Sequence, residues 1–345
     1  MPGFLESVKF WGVVTMYGFL VLLYMIKQCF TKGVGKVFHW KQWERPAILD
    51  DPSLGTHGFL TLKDVRIHYV ASGPEDKPLM LFVHGFPEFW YSWRHQIREF
   101  QKDYRVVAID QRGYSESSKP VGVENYTMSK LTSDLQQIIP ALGYKSCVLV
   151  AHDWGGAVAW TFARHNPDLV DKLIIMNVPP SPVFFKVLQT NRNQKKKSWY
   201  IFFFQLPFLP ELNFKLDDFS VFDKLFVSER NPRIAEDAKQ AEEAINPYKY
   251  VFSQPGAVTP PINYYRAIFR HSTEKATYDL EYEMPVLLIW GCKDMALDIA
   301  LPDTVEKETR KIEVKRILDA GHFVQVDAPA EVNKLMREWL NKQNN

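Results

Sequence analysis

The chain has 345 residues, with 42 Lys plus Arg against 40 Asp plus Glu, so its formal net charge is only +2. That near-balance excludes the strongly basic face expected when nucleic acid is the main partner. A hydrophobic share of 46% beside 24% charged residues excludes a disordered chain and leaves one large or two ordinary folded domains.

After a short tail at residues 1–9, residues 10–26 read FWGVVTMYGFLVLLYMI and carry no charge. As a helix this stretch is about 25 Å long, slightly short of the ~30 Å hydrocarbon core, and snorkelling of Lys9 and Lys27 makes up the difference. A cleaved signal peptide is the competing reading, but Lys27-Gln28-Cys29-Phe30 stands where small residues at a cleavage site belong. The expectation is an uncleaved, single-pass transmembrane anchor over residues 10–30 that engages membrane lipid. Lys27, Lys32, Lys36 and Lys41 lie downstream, against Lys9 and the terminal amine upstream, offset by Glu6. The positive-inside rule then puts the body in the cytosol; the expected location is a membrane of endoplasmic-reticulum type, which the charge pattern itself does not specify. Three scattered cysteines, Cys29, Cys147 and Cys292, make neither a disulfide framework nor a zinc pair, which agrees with a reducing compartment. In that orientation the sequon Asn125-Tyr126-Thr127 stays bare. Cys29, beside the membrane, is a weak candidate for palmitoylation against its plain reading as an apolar side chain.

A linker follows over residues 31–48, and then the first part of an α/β core over residues 49–178. Residues 59–62 and 65–70 read as a hairpin at a sheet edge. Apolar runs at 79–83, 106–109, 147–151, 173–176 and 286–290, each bounded by turn residues and separated by helix-like stretches, have the rhythm of a mostly parallel sheet with crossover helices. Between 179 and 278 that rhythm fails: the segment is aromatic, basic and helical in period, and reads as a helical cap inserted over the sheet. Residues 279–345 complete the core, with a last strand at 312–318 and an amphipathic helix at 330–340. No internal repeat is visible.

The chemistry gathers on turns after strands. Val148-Leu149-Val150-Ala151-His152-Asp153-Trp154-Gly155-Gly156 is an apolar strand entering a helix with the spacing of a nucleophile elbow, and Asp153 stands where many hydrolases have Ser. Small neighbours are needed because the backbone turns sharply there and the helix packs closely on the strand. A carboxylate with a reference pKa of about 4 is ionised at neutral pH, and the helix dipole favours the charge, so this nucleophile needs no base. It suits attack at an sp³ carbon with a strained or good leaving group, giving an enzyme ester. The plain alternative is an Asp that only caps the helix.

Hydrolysis of an ester needs a base, a group that orients the base, and donors for an oxyanion. His322, in Ala320-Gly321-His322-Phe323, follows the last strand and is the candidate base. Asp294, in Gly291-Cys292-Lys293-Asp294, follows the strand at 286–290 and is the candidate that fixes the imidazole tautomer. The chain order nucleophile, acid, histidine is that of this fold. His84-Gly85-Phe86-Pro87 ends the strand at 79–83, so the amides of Phe86 and Trp154 are the candidate oxyanion hole. His84 itself reads as a hydrogen-bonded structural residue, and Asp110-Gln111-Arg112-Gly113-Tyr114 as loop structure.

Taken together, HGFPEFWYSW, DQRGYSES, AHDWGG, INYYRAIF, GCKD and AGH occur in the order of a known family. The chain resembles the epoxide hydrolases of the α/β-hydrolase fold, in the membrane-anchored branch related to soluble epoxide hydrolase, over about residues 50–340. One departure is Ala151, where the family usually has Gly. The resemblance implies two cap tyrosines that donate hydrogen bonds to the epoxide oxygen, at positions matching Tyr200 in SWYIFFFQLP and Tyr265 in INYYRAIF. Tyr264 and other cap tyrosines are the competing choices, since a buried cap tyrosine is ordinarily packing. The implied activity is hydrolysis of small-molecule epoxides, lipid and fatty-acid epoxides first, to vicinal diols, with no metal, nucleotide or flavin cofactor. The alternatives are a haloalkane or haloacid dehalogenase, which shares the Asp nucleophile, and a membrane-tethered hydrolase-like binding protein without activity. The aromatic run 199–204 and Lys195-Lys196-Lys197 suggest a cap leaning on an anionic membrane surface, against a plain reading as a cap helix with a solvated loop.

Overall fold

A computed structural model describes residues 4–226, 238–271 and 280–344. Its frame is an eight-stranded sheet of order β1-β2-β4-β3-β5-β6-β7-β8. β1 (Thr56–Thr61) and β2 (Arg66–Ser72) form an antiparallel hairpin, and β2 also runs antiparallel to β4 (Arg105–Ile109). From β4 onward the neighbours β3 (Leu79–Val83), β5 (Cys147–His152), β6 (Val170–Met176), β7 (Val286–Gly291) and β8 (Ile312–Ile317) are all parallel. The central strands are continuous apolar runs because both of their faces are covered: every residue of β3, β5 and β7 is buried. β1 and β8 close the two edges and are correspondingly more polar and exposed.

In chain order the helices begin with α1 (Phe4–Lys32) and the single turn α2 (Val34–Val37). α3 (Arg94–Phe100), α4 (Met128–Ala141) and α5 (Asp153–His165) link the strands of the first half. Between β6 and β7 come only helices among the described residues: α6 (Ser181–Thr190), α7 (Arg192–Lys197), α8 (Trp199–Phe203), α9 (Leu209–Phe219), α10 (Val221–Phe226), α11 (Ala238–Ser253) and α12 (Thr259–His271). The expected end of this insertion, at Tyr278, lies outside the described residues. α13 (Ala300–Glu308), α14 (Val324–Asp327) and α15 (Pro329–Asn344) complete the chain. α1 is long and apolar enough to cross a membrane by length and composition. It lies along the inserted helices, with the ring of Phe10 5.8 Å from Phe202 and that of Tyr17 6.0 Å from Trp199.

α5 approaches the sheet closely at Gly155, where a Cβ would lie 2.3 Å from the carbonyl oxygen of Val83 and 2.4 Å from that of His84. Those atoms are backbone of the central strand and its exit, so they cannot move aside as a flexible side chain would. Close crossing is therefore borne by Gly155, and Ala151 is accommodated as an ordinary buried residue of β5. Gly155→Ala is expected to lower stability by about 1–3 kcal/mol or more through overpacking. Chemical denaturation measures it, and an unchanged midpoint would contradict the close approach.

Candidate active site

β5 delivers Asp153 to the first position of α5 with a left-handed backbone, φ 47°. For a non-glycine residue this is a strained conformation, held because the strand behind and the helix ahead fix it. The strain projects the carboxylate from the strand end: Oδ1 accepts a 2.8 Å hydrogen bond from the Phe86 amide, and Oδ2 lies 3.5 Å from Nε2 of His322. Trp154 occupies the second position of α5, whose first-turn amides have no partner within the helix.

His322 follows β8, and its Nδ1 lies 2.7 Å from Oδ2 of Asp294. Asp294 follows β7 and is itself held from four directions. Its Oδ1 accepts from the amides of Ala296 and Leu297 at 2.7 and 2.8 Å, and its Oδ2 accepts from Nδ2 of Asn177 at 2.7 Å as well as from the imidazole. A carboxylate so bound presents one oxygen in a set direction, which orients the ring with Nε2 toward Asp153.

The charges interlock. Burial by itself would lower the His322 pKa, but the carboxylates of Asp294 and Asp153 outweigh it and hold the imidazole well above its ordinary value. Burial would raise Asp153, yet the hydrogen bond and charge of His322, the charge of His152 and the Phe86 amide hold it below the usual carboxylate range.

Tyr200 on α8 and Tyr265 on α12 line, with Asp153 and Trp154, a mostly apolar cavity that is partly open to solvent. Their rings lie 5.7 Å apart, and Tyr265 is wedged edge-on against Trp154 and Phe86 at 4.9 and 5.2 Å. Burial and, for both, the nearby Asp153 charge raise their pKa values, so both hydroxyls stay protonated donors. Tyr264 is separated from its neighbour by use: its hydroxyl donates to the carbonyl of Arg112 at 2.7 Å in the core, away from the cavity.

Several supporting residues escaped the sequence reading. Glu88 Oε2 lies 2.5 Å from Nδ1 of His152, whose Nε2 lies 2.8 Å from the carbonyl of His322, while Oε1 accepts from Gln325 at 2.9 Å. This buried chain fixes the backbone that carries His322. Glu88 and His152 sit within motifs already singled out, and Asn177 is a polar residue at the end of an apolar strand; each position was a usable signal. Lys197 from the inserted helices donates to the carbonyls of Asp294 and Leu297 at 2.7 and 3.2 Å. It is thereby committed to the loop that bears Asp294 and is not free for a lipid headgroup, which leaves Lys195 and Lys196 exposed. His84 is structural as read, bonded to the Gly85 carbonyl and to Gln111.

The sheet order, the strained turn before α5 and the acid and histidine on later strand ends define a hydrolase of one architecture. The chain belongs to the alpha/beta hydrolase fold family, whose model matches residues 78–329. It is 41% identical to human epoxide hydrolase 4 over 98% of this chain and 95% of the relative, and 45% identical to epoxide hydrolase 1 of Caenorhabditis elegans over 89% and 74%. An epoxide hydrolase of Bacillus megaterium, solved with an inhibitor, matches with a TM-score of 0.72 at 37% identity, covering 82% of this chain and 100% of that one. Within the larger family, the chain is therefore a member of the epoxide hydrolases.

Proposed function

We propose that this enzyme converts lipid epoxides, fatty-acid epoxides among them, to vicinal diols through an ester on Asp153. The observation that carries the reading is a single cavity lined together by Asp153, Tyr200 and Tyr265 and otherwise by mostly apolar side chains. An epoxide oxygen bound by Tyr200 and Tyr265 leaves the ring carbon open to Asp153. The carboxylate forms a bond to that carbon as the C–O bond breaks, and a tyrosine proton passes to the alkoxide. His322, oriented by Asp294, then takes a proton from water as the water attacks the ester carbonyl. The amides of Phe86 and Trp154 hold the oxyanion. The acyl–oxygen bond breaks, the second proton of the water passes to the departing diol oxygen, and the proton held on His322 returns to the tyrosinate.

The ester has an electrostatic consequence for every partner. Forming it removes the Asp153 charge, which is one of the causes that raise Tyr200, Tyr265 and His322. The tyrosines become better acids as the alkoxide forms, and His322 becomes easier to deprotonate when a base is wanted.

Beyond Asp153 the cavity wall is formed, among the described residues, by side chains such as Phe184, Phe185, Leu188, Ile201, Phe202 and Phe269, which favours a long apolar tail. We propose also that α1 tethers the enzyme to a membrane of endoplasmic-reticulum type, with the catalytic body on the cytosolic side. The test is a panel of fatty-acid epoxides, aryl epoxides and alkyl halides given to the purified protein and to Tyr200→Phe and Tyr265→Phe, with products read by mass spectrometry. Diols are expected, fastest from fatty-acid epoxides, and each tyrosine change should lower turnover about 10²-fold or more. Halide release without diols would move the assignment to a dehalogenase, and no product at all would leave a binding protein.

A further inference from the structure

We infer that α1 holds the enzyme on a single lipid leaflet, lying in its plane against the cap helices, and that the mouth of the active-site cavity opens into that leaflet. The inference deepens the membrane attachment proposed above and rests on it.

The first observation is how much of α1 the protein uses. Phe10 sits against Phe202 and Phe269, at 5.8 and 5.1 Å between ring centres, and Tyr17 against Trp199 at 6.0 Å. Gly18 lets the backbone press on Leu206, whose Cδ1 lies 2.4 Å from where a Cβ would stand. Farther along, Tyr24 accepts a 3.0 Å hydrogen bond from Lys224, and Lys32 pairs with Asp217. From Phe10 to Lys32 a helix advances about 33 Å. Contacts therefore run over a length equal to the hydrocarbon thickness, and a helix docked this way cannot cross a bilayer without taking Lys224, Asp217 and the rest of that face into the hydrocarbon.

The second observation is that the downstream end is fastened at some cost. α9 bends at Asp217 and Asp218, both left-handed with φ 52° and 54°. Asp218 Oδ1 accepts from Trp43 Nε1 at 3.0 Å and from the Lys41 amide at 3.2 Å, and Trp40 Nε1 donates to the Lys215 carbonyl at 2.6 Å. Non-glycine residues keep such a backbone only where their surroundings over-determine it, and here the surroundings are the chain leaving α1.

The opposite face of α1 is apolar and uncovered. Trp11, Met16, Phe19, Leu23, Ile26 and Phe30 are exposed, Phe19 by 61% and Phe30 by 87%. A face of this kind on a helix flanked by the exposed lysines Lys9, Lys27 and Lys36 is complementary to acyl chains beneath anionic headgroups. The occupant is thus a leaflet; a second copy of the chain covering the same face is the rival that the test must separate.

The third observation joins this surface to the chemistry. Phe202 and Phe269 line the cavity that contains Asp153, and they are the two rings that Phe10 touches. Phe202 and Phe269 pack on each other at 6.2 Å, so an apolar epoxide dissolved in the leaflet would reach the tyrosines as these two rings part, without entering water.

The experiment uses the full chain with an N-terminal epitope, expressed in cells and recovered in sealed vesicles, with protease added outside. Protein in the membrane fraction with both the epitope and the catalytic body digested is the expected result. An epitope protected while the body is digested would show a crossing helix and overturn the in-plane arrangement, leaving attachment intact. A soluble dimer would overturn attachment as well. The mouth is tested with Phe10→Asp on vesicles. KM for a long-chain epoxide should rise at least five-fold, while kcat and the KM for a short, water-soluble epoxide stay unchanged. Equal changes for both substrates, or none, would refute it; turnover of the short epoxide reports the catalytic reading separately.

Discussion

Asp153→Ala should reduce diol formation by about 10⁴-fold or more, the scale on which loss of a covalent nucleophile acts. The size follows from how much converges on this one carboxylate. Its strained backbone aims it into the cavity, Phe86 binds one oxygen and His322 faces the other. Alanine leaves the cavity and the tyrosines in place, so a purely positional role for Asp153 would leave a substantial rate. The check is product formation by mass spectrometry beside circular dichroism and a thermal melt. Retained activity in a folded variant would sink the nucleophile assignment.

The second large effect divides the reaction. With His322→Gln, attack by Asp153 is expected to proceed within about tenfold of the normal rate, while ester hydrolysis slows by about 10²–10⁴-fold. The enzyme should then gain the mass of one substrate in rapid-quench mass spectrometry. The unmodified enzyme should show the same division as a function of pH. Asp153 lies below the ordinary carboxylate range, so attack survives mild acid. In the ester His322 loses the Asp153 charge, one of the influences that raise it, but it keeps Asp294. Below the resulting pKa the imidazole is protonated and cannot accept a proton from water, so the ester fraction should rise as pH falls. An ester fraction that instead grows with pH, or no adduct with His322→Gln, would mean that the roles are misassigned.

Much of the site was legible because it is local. The run Cys147, Val148, Leu149, Val150 and Ala151 is apolar throughout because β5 is buried on both faces, and the elbow after it is written in consecutive residues. His322 and Asp294 could be placed because each follows a strand that parallel pairing brings to the same sheet edge as Asp153. Parallel order converts positions far apart in sequence into neighbours, and turn residues mark where the strands stop.

What stayed hidden depends on which way a side chain faces and what reaches it from a distant segment. Tyr264 and Tyr265 are adjacent on one helix, so their side chains point about 100° apart, and nothing in the local sequence says which meets the cavity. Packing decides: one hydroxyl is spent on the Arg112 carbonyl and the other lines the pocket. The Glu88–His152–His322 chain and the grip of Lys197 on the Asp294 loop join residues between 64 and 170 positions apart, through contacts that periodicity does not encode. The N-terminal helix makes the same point. Its length and apolarity can be read from residues 10–26 alone, since membrane affinity is a sum over side chains. Whether one face of it is already taken by Phe202, Trp199, Leu206 and Phe269 is a property of the folded surface. The sequence by itself thus determined the sheet, the place of Asp153 at the strand-to-helix turn and the family, all set by short-range pattern and strand order. The tertiary structure alone decided which tyrosine lines the cavity, what braces His322 and how the apolar helix lies, because those depend on the relative placement of surfaces that meet only after folding.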